Sequence, residues 1–259
     1  MSAVFATRLL GWKNSPRRDG KPKNKLGWNH VPNCADVDNA ESMRLAAGML
    51  DNLEVVRGLP SDVPSDPSGP LEQLVEADLA AALTALAPGR RWDVRRGQVI
   101  ASFAQYEHLY EIDRLVRENP ELRVTLSQNY LITPDVTVGL RDLSTPGKKP
   151  FLHAAISCKW TIRSDRVQNI RHEFNQMIRH RRGRLPHLVT VTAEPLPSRL
   201  VSITRGTGEV DAVYHVALEA LGAAVDADGN EKQVADWNEC IGQKRLLSYG
   251  DMVKTIAAW

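Results

Sequence analysis

Residues 130–160 read YLITPDVTVGLRDLSTPGKKPFLHAAISCKW: two apolar, partly β-branched runs separated by a connector rich in Pro, Gly and Lys. Tyr130–Leu140 and Phe151–Trp160 predict two strands, and Arg141–Pro150 predicts the loop between them. Asp135 stands inside the first run, where a carboxylate is disfavoured. The second run ends Ser157–Cys158–Lys159, and the alternation of strand side chains puts Ser157 and Lys159 on one face. If the two strands pair, Asp135 and Lys159 meet at one edge of the sheet.

Reading outward, Ser164–Arg179 predicts a helix, and His187–Ala193 and Val210–Val216 predict two more strands. Upstream, Trp92–Ser102 reads as a strand. A helix with Leu109, Ile112, Leu115 and Val116 follows and ends near Pro120. Leu71, Leu74, Val75, Leu79, Leu83 and Leu86 form the apolar stripe of an earlier helix, which Pro70 can open at its first turn. Residues 58–69 before it are a loop by composition. Asp38 and Glu41 have capping-box spacing ahead of a helical pattern through Met43, Ala46, Ala47, Leu50 and Leu53. A further helical pattern covers Leu246–Ala258. Strands alternating with helices give an α/β fold, a central sheet covered by helices on both faces. No internal boundary interrupts it, so 1–259 is expected to form one domain. Residues 13–34, rich in Lys, Pro, Asn and Gly, read as irregular, which makes 1–35 a candidate basic arm.

The chain has 259 residues, 42% hydrophobic and 25% charged, the ordinary balance of a soluble globular protein. No stretch approaches the roughly 18 apolar residues of a membrane span, and the opening segment has too short an apolar run for a secretory signal. Cys34, Cys158 and Cys240 are widely spaced and odd in number, which argues against a disulfide framework and a structural zinc site. A cytoplasmic protein with no membrane partner is expected. The net charge of +2 is unevenly spread: residues 8–25 carry +6 and residues 163–184 carry +5, on a body that is otherwise acidic. Two basic patches of this kind suit a polyanion.

An Asp on one strand and a Lys on its neighbour form the core of the PD-(D/E)xK nuclease arrangement. Phosphodiester hydrolysis needs a carboxylate-held Mg²⁺ at the phosphate and a cationic group near the attacking water. The second acid of the pattern falls at position 157, where this chain has Ser157. Another acid must therefore reach in, and both Glu173, on the following helix, and Glu72, near the start of an earlier one, are candidates.

SCKWTIRSDR (157–166) closely resembles the corresponding stretch of the NgoMIV-like type II restriction endonucleases, the CCGG-reading group of PD-(D/E)xK enzymes. LITPDVTV, FLHAAIS, GRLPHLVTVTAEPLPSR and GTGEVDAVYH resemble their counterparts in the same order, as do QYEHL and ENPEL, so that roughly residues 70–219 are covered. The resemblance implies a restriction-endonuclease-like core with a mixed sheet, and Mg²⁺-dependent cleavage of double-stranded DNA, with two ions per site. It implies a metal-binding Asp135, a catalytic Lys159, a vacated acid position at Ser157, a migrated acid at Glu173, a supporting Glu72, and a backbone carbonyl of Cys158 completing the coordination. By the same resemblance Arg163, Asp165 and Arg166 read the CCGG core, as arginine pairs with guanine and aspartate with cytosine in the major groove. Asp36 and Arg199 read the outer pair, giving GCCGGC and 5′-phosphate staggered ends. A palindromic site implies a homodimer, with a homotetramer as the alternative. The loop before Glu72 and the short connector Arg141–Pro150 depart from the pattern, and the connector bears on subunit contacts. Two other classes remain: a structure-directed repair or recombination nuclease, and a non-catalytic DNA-binding protein.

Overall fold

The computed structural model describes residues 2–57, 59–64, 66–119, 121–122, 130–141, 147–206 and 208–258. Near the N-terminus, β1 (Trp12–Asn14) pairs with β4 (His30–Pro32), and β2 (Arg17–Arg18) pairs with β3 (Lys21–Pro22). The central sheet has six strands: β5 (Trp92–Arg96), β6 (Val136–Leu140), β7 (Phe151–Lys159), β8 (His187–Thr192), β9 (Ala212–His215) and β10 (Leu246–Ser248), in the order β10-β9-β8-β7-β6-β5. β5 pairs antiparallel with β6 and β6 antiparallel with β7, whereas β7 through β10 pair parallel. The expected mixed α/β sheet is what the chain forms.

Parallel neighbours need crossovers, and helices supply them. Ser164–His180 links β7 to β8, Pro197–Thr204 links β8 to β9, and Leu218–Asp228 with Glu231–Gly242 links β9 to β10. Leu152 to Cys158 of β7 are buried at every position, as expected of a strand covered on both faces. The helix Ser68–Leu86 packs on β5, β6 and β7 and against the C-terminal helix Tyr249–Ala258. Leu71, Val75, Leu79 and Leu83 supply its buried stripe, whereas Leu86, at its end, is 54% exposed. The register between β6 and β7 slips at Val138/Gly139. There a Cβ on Gly139 would lie 3.1 Å from a Phe103 ring carbon and 3.3 Å from the Asp93 carbonyl, so this close approach needs glycine.

Several boundaries differ from the sequence reading. The first strand begins only at Val136, so Asp135 lies just before it rather than within it. Leaving the strand there frees the carboxylate from the face-packing that disfavours it. β5 stops at Arg96, and Ile100–Ser102 is a 3-10 turn. Asn39, not Asp38, caps the helix Ala40–Asn52, accepting from the Ser42 N–H. Leu246–Ser248 forms the outermost strand because the Val213–His215 edge is open to pair with it; only Tyr249–Ala258 is helical. Half of the connector Arg141–Pro150, residues 142–146, and part of ENPEL lie outside the described residues.

The N-terminal segment is tied to the body. Phe5, Leu9, Leu10, Trp12 and Cys34 belong to the same buried cluster as Val189 and Met252. Asn33 anchors it further, its side chain donating to the Leu9 carbonyl at 2.6 Å while its own carbonyl accepts from Trp160 Nε1 at 3.3 Å. Arg17, Arg18 and Lys21 remain exposed on the β2–β3 turn. Trp12→Ala should therefore lower unfolding free energy by about 3–5 kcal/mol, the cost of a large core truncation. Urea denaturation checks this, and an unchanged midpoint would mean that the segment is a detachable arm.

Candidate active site

Pairing of Val136 with Ile156 sets Asp135 one step further on, beside Ser157. Three contacts converge on its Oδ2: Cys158 N–H donates at 2.7 Å, Lys159 Nζ at 2.8 Å and Ser157 Oγ at 3.4 Å. Both charged side chains keep an opening to solvent, 27% for Lys159 and 21% for Asp135. Cys158 is buried, and burial, with the charges of Asp135 and Glu72, raises its thiol well above the ordinary value. Such a thiol is no nucleophile.

The two glutamates enter the same field from different helices. Burial and then the Asp135 charge raise the Glu72 carboxyl, with Lys159 and Arg96 opposing. Burial also raises Glu173, Lys159 pulling the other way and Asp135 adding to the rise. Two carboxyls raised by the charge of a third offer oxygen donors of the type a hard divalent cation takes. Among the described residues, however, no three His, Cys, Asp or Glu side chains are gathered around one point. Direct contact joins Asp135, Ser157, Cys158 and Lys159, while Glu72 and Glu173 are joined to them by electrostatics alone. Electrostatic influence acts over a longer range than coordination does, so both glutamates lie within reach of the Asp135 and Lys159 charges without being in contact with them.

A cleft of about 690 Å³ opens beside the end of β7, lined by Asp36, Arg163 and Arg199 together with Gln168, Arg171 and Ser202. Asp36 is held by the start of the helix Ala40–Asn52, its N–H donating to Ser42 Oγ at 2.9 Å. Burial works against the Asp36 charge, but Arg199 and the Asp38 N–H outweigh it and hold the carboxyl below its ordinary range. Arg199 donates to Asp36 and lies 3.6 Å from Glu194. Arg163 precedes the helix Ser164–His180 and is exposed. Asp165 and Arg166 do not line this cleft: Asp165 is exposed, and Arg166 Nη1 folds back onto the Thr161 carbonyl at 2.8 Å. Two participants escaped the sequence reading, Arg171 and the buried Glu194. A glutamate directly after the apolar run HLVTVTA was the signal, since a charge so placed needs partners.

An Asp–Lys pair at adjoining strand ends, under helices that bring further acids, defines a protein of the restriction-endonuclease-like α/β type. A family model described as NgoMIV restriction enzyme matches residues 22–146 and 140–257. The type II restriction enzyme NgoMIV of Neisseria gonorrhoeae is 35% identical, over 88% of this chain and 90% of that enzyme. The chain belongs to the NgoMIV restriction enzyme family. A crystal structure of the pre-specific restriction endonuclease BsaWI–DNA complex is also similar, with a TM-score of 0.33 and 15% identity, over 62% of each chain.

The raised carboxyls of Glu72 and Glu173 have a consequence for stability. The folded chain holds these protons more tightly than the unfolded chain does. The resulting penalty is absent below the ordinary carboxylate range, grows as pH rises through the raised values, and is complete above them. A divalent cation should remove it. Mg²⁺ is therefore expected to raise the melting temperature more at about pH 7.5 than at about pH 5, where protons compete for the same oxygens. Glu173→Gln should melt higher than the parent without metal and respond less to Mg²⁺. Thermal melts across pH and metal concentration test both; an Mg²⁺ response of equal size at the two pH values would exclude these acids as the ligands.

Proposed function

We propose that this chain is a type II restriction endonuclease that hydrolyses both strands of double-stranded DNA at a palindromic CCGG-containing site, GCCGGC, leaving 5′-phosphate staggered ends. The observation that carries the reading is the contact of Lys159 with Asp135 at paired strand ends, in a chain of this family, beside a cleft lined by Asp36, Arg163 and Arg199. Asp135, Glu173, Glu72 and the Cys158 backbone carbonyl would hold Mg²⁺, two ions per site, and the chemistry supplied on binding is neutralisation of phosphate charge and acidification of water. Ser157 marks the vacated acid position and donates to Asp135. Lys159 is the group to place a proton on the phosphate oxygen or to orient the attacking water. Water adds to phosphorus, the bond to the 3′ oxygen breaks, and that oxygen leaves as a hydroxyl while the phosphate stays on the 5′ side.

Arg163, Asp165 and Arg166 read the CCGG core, and Asp36 and Arg199 the outer pair, by bonds to guanine O6 and N7 and to cytosine N4. A palindrome read this way calls for a homodimer, with pairing of dimers into a tetramer as the alternative. The continuous buried cluster from Ala3 to Ile256 supports one domain over 1–259. Among the described residues no helix is long and apolar enough to cross a membrane, and the enzyme is assigned to the cytoplasm, where its substrate is.

Digestion of a fully sequenced plasmid with Mg²⁺, followed by end-sequencing, tests this. Discrete ends at GCCGGC are expected from the parent, and Lys159→Ala should lose them by at least about a hundredfold, the scale of a missing transition-state donor. Ends at another CCGG site would discard the roles of Asp36 and Arg199; scattered ends would favour a structure-directed nuclease. Arg163→Ala should keep the fold but lose the site, and unchanged cutting there would remove it from base reading.

A further inference from the structure

Glu194 is fully buried, 0% exposed, in the short segment between β8 and the helix Pro197–Thr204. A carboxylate in such a place is costly unless its oxygens are met, and they are met by the two elements that carry the cleft. Oε2 accepts from the Ile162 N–H at 2.7 Å and lies 3.6 Å from Arg199 Nη1; Oε1 accepts from the Leu196 N–H at 3.0 Å. Ile162 immediately precedes Arg163, and Leu196 caps the helix on which Arg199 sits.

The backbone of Glu194 is pinned as firmly. Its N–H donates to Thr192 Oγ1 at 3.1 Å, and its carbonyl accepts from His215 Nε2 at 3.1 Å. His215 Nδ1 accepts from the Ala217 N–H at 3.1 Å, so the ring is the neutral Nε2–H tautomer. Burial, opposed by those bonds, keeps it uncharged, its value lowered to about 4. Cys34 lies within the field of Glu194, and burial, together with that charge, pushes its thiol up to about 12. Arg199 is thus the cation that answers Glu194, and Arg199 is shared with Asp36.

Resting on the reading of Arg163 and Arg199 as base readers, we propose that Glu194 is a positioning residue for site specificity, its carboxylate holding the Ile162 backbone and the Arg199 guanidinium at one fixed offset. Glu194 touches no DNA. It acts through the two arginines, and it gives Arg199 a counter-charge that stays in place when Asp36 turns from Arg199 to a base. Without it, redirecting Arg199 would leave a cation short of its partner inside the protein.

Glu194→Gln preserves the volume but sets an amide NH₂ against the N–H of Ile162 or Leu196, or against the guanidinium, so a donor faces a donor. The test is the ratio of kcat/KM on the duplex the parent cuts best to kcat/KM on duplexes altered at the outer pair, measured well below the melting temperature. That ratio should fall by roughly tenfold or more, the scale of one good base contact; a residue that only supported the fold would lower both rates together. A parent with no site preference overturns the base-reading assignment and this inference with it. A discriminating parent beside an equally discriminating Glu194→Gln overturns the role of Glu194 alone. Should that variant fail to fold, the parent's own ratio between about pH 6 and pH 8.5 decides. Burial pushes Glu194 up to about 7 against the pull of Arg199, while Asp36 stays ionised and Cys34 and His215 stay neutral across that window. Hydrolysis common to both duplexes cancels in the ratio. Discrimination should weaken on acidification, and a flat ratio would overturn the proposal.

Discussion

The Asp135 carboxylate, accepting at once from a backbone N–H, a hydroxyl and an ammonium group, is the constraint on which the rest of the site depends. Those three donors belong to consecutive residues, Ser157, Cys158 and Lys159. They reach one oxygen because β6 starts one residue after Asp135 and lies antiparallel to β7. Shifting the register by one residue would send Lys159 to the other face. The slip at Val138/Gly139, with the close approach of Phe103 to Gly139, sits in the same pair of strands. Packing around a glycine thus helps to hold the register that the chemistry requires.

The cleft is electrostatically closed upon itself. Asp36 and Arg199 pair with each other, Arg199 leans on Glu194, and Arg171 bonds to the Ser202 carbonyl. Under the proposed function these groups exchange protein partners for base edges and phosphates, so binding gains only the difference between the two sets of contacts. A wrong base leaves both the base and the released side chain short of a partner. Internal pairing of this kind spends affinity on discrimination. Exposed cations such as those of the β2–β3 turn could, under the same proposal, meet only phosphate charge, which carries no sequence information.

Much of this was legible in the chain. The β-branched runs at 136–140 and 187–192 and the apolar run at 151–159 declare their strands, and the Asp135–Lys159 pair together with the resemblance at 157–166 points to the candidate site. The boundary at Asp135 was misjudged because propensity does not register where hydrogen-bonded pairing begins. β10 was read as helix because Leu246–Ser248 is too short for a period of two to emerge, and an open neighbouring edge decides its state. Residues 13–34 looked irregular by composition. Their attachment rests on Trp12, Asn33 and Cys34, whose partners lie far away in sequence. Glu194 was passed over because a single acid gives no spacing; only the structure brings Ile162 and Arg199 to it.

Under the proposed function, Ser157 holds the place of an acid that the following helix supplies instead. An acid on the strand would be fixed to the sheet regardless of what the cleft holds. Glu173 instead shares the helix Ser164–His180 with Arg163 at its N-terminal boundary. Ten residues of helix separate them, about 15 Å of a stiff element. Any shift that seats Arg163 against a base must carry Glu173 with it, by nearly the same amount. Glu173 is within the field of Asp135 and Lys159. Under the proposed function, one stiff helix therefore joins the arginine that reads a base to the carboxylate that would hold a metal ion. On that reading, an acid on the strand would have no such mechanical tie to the residue that reads the base.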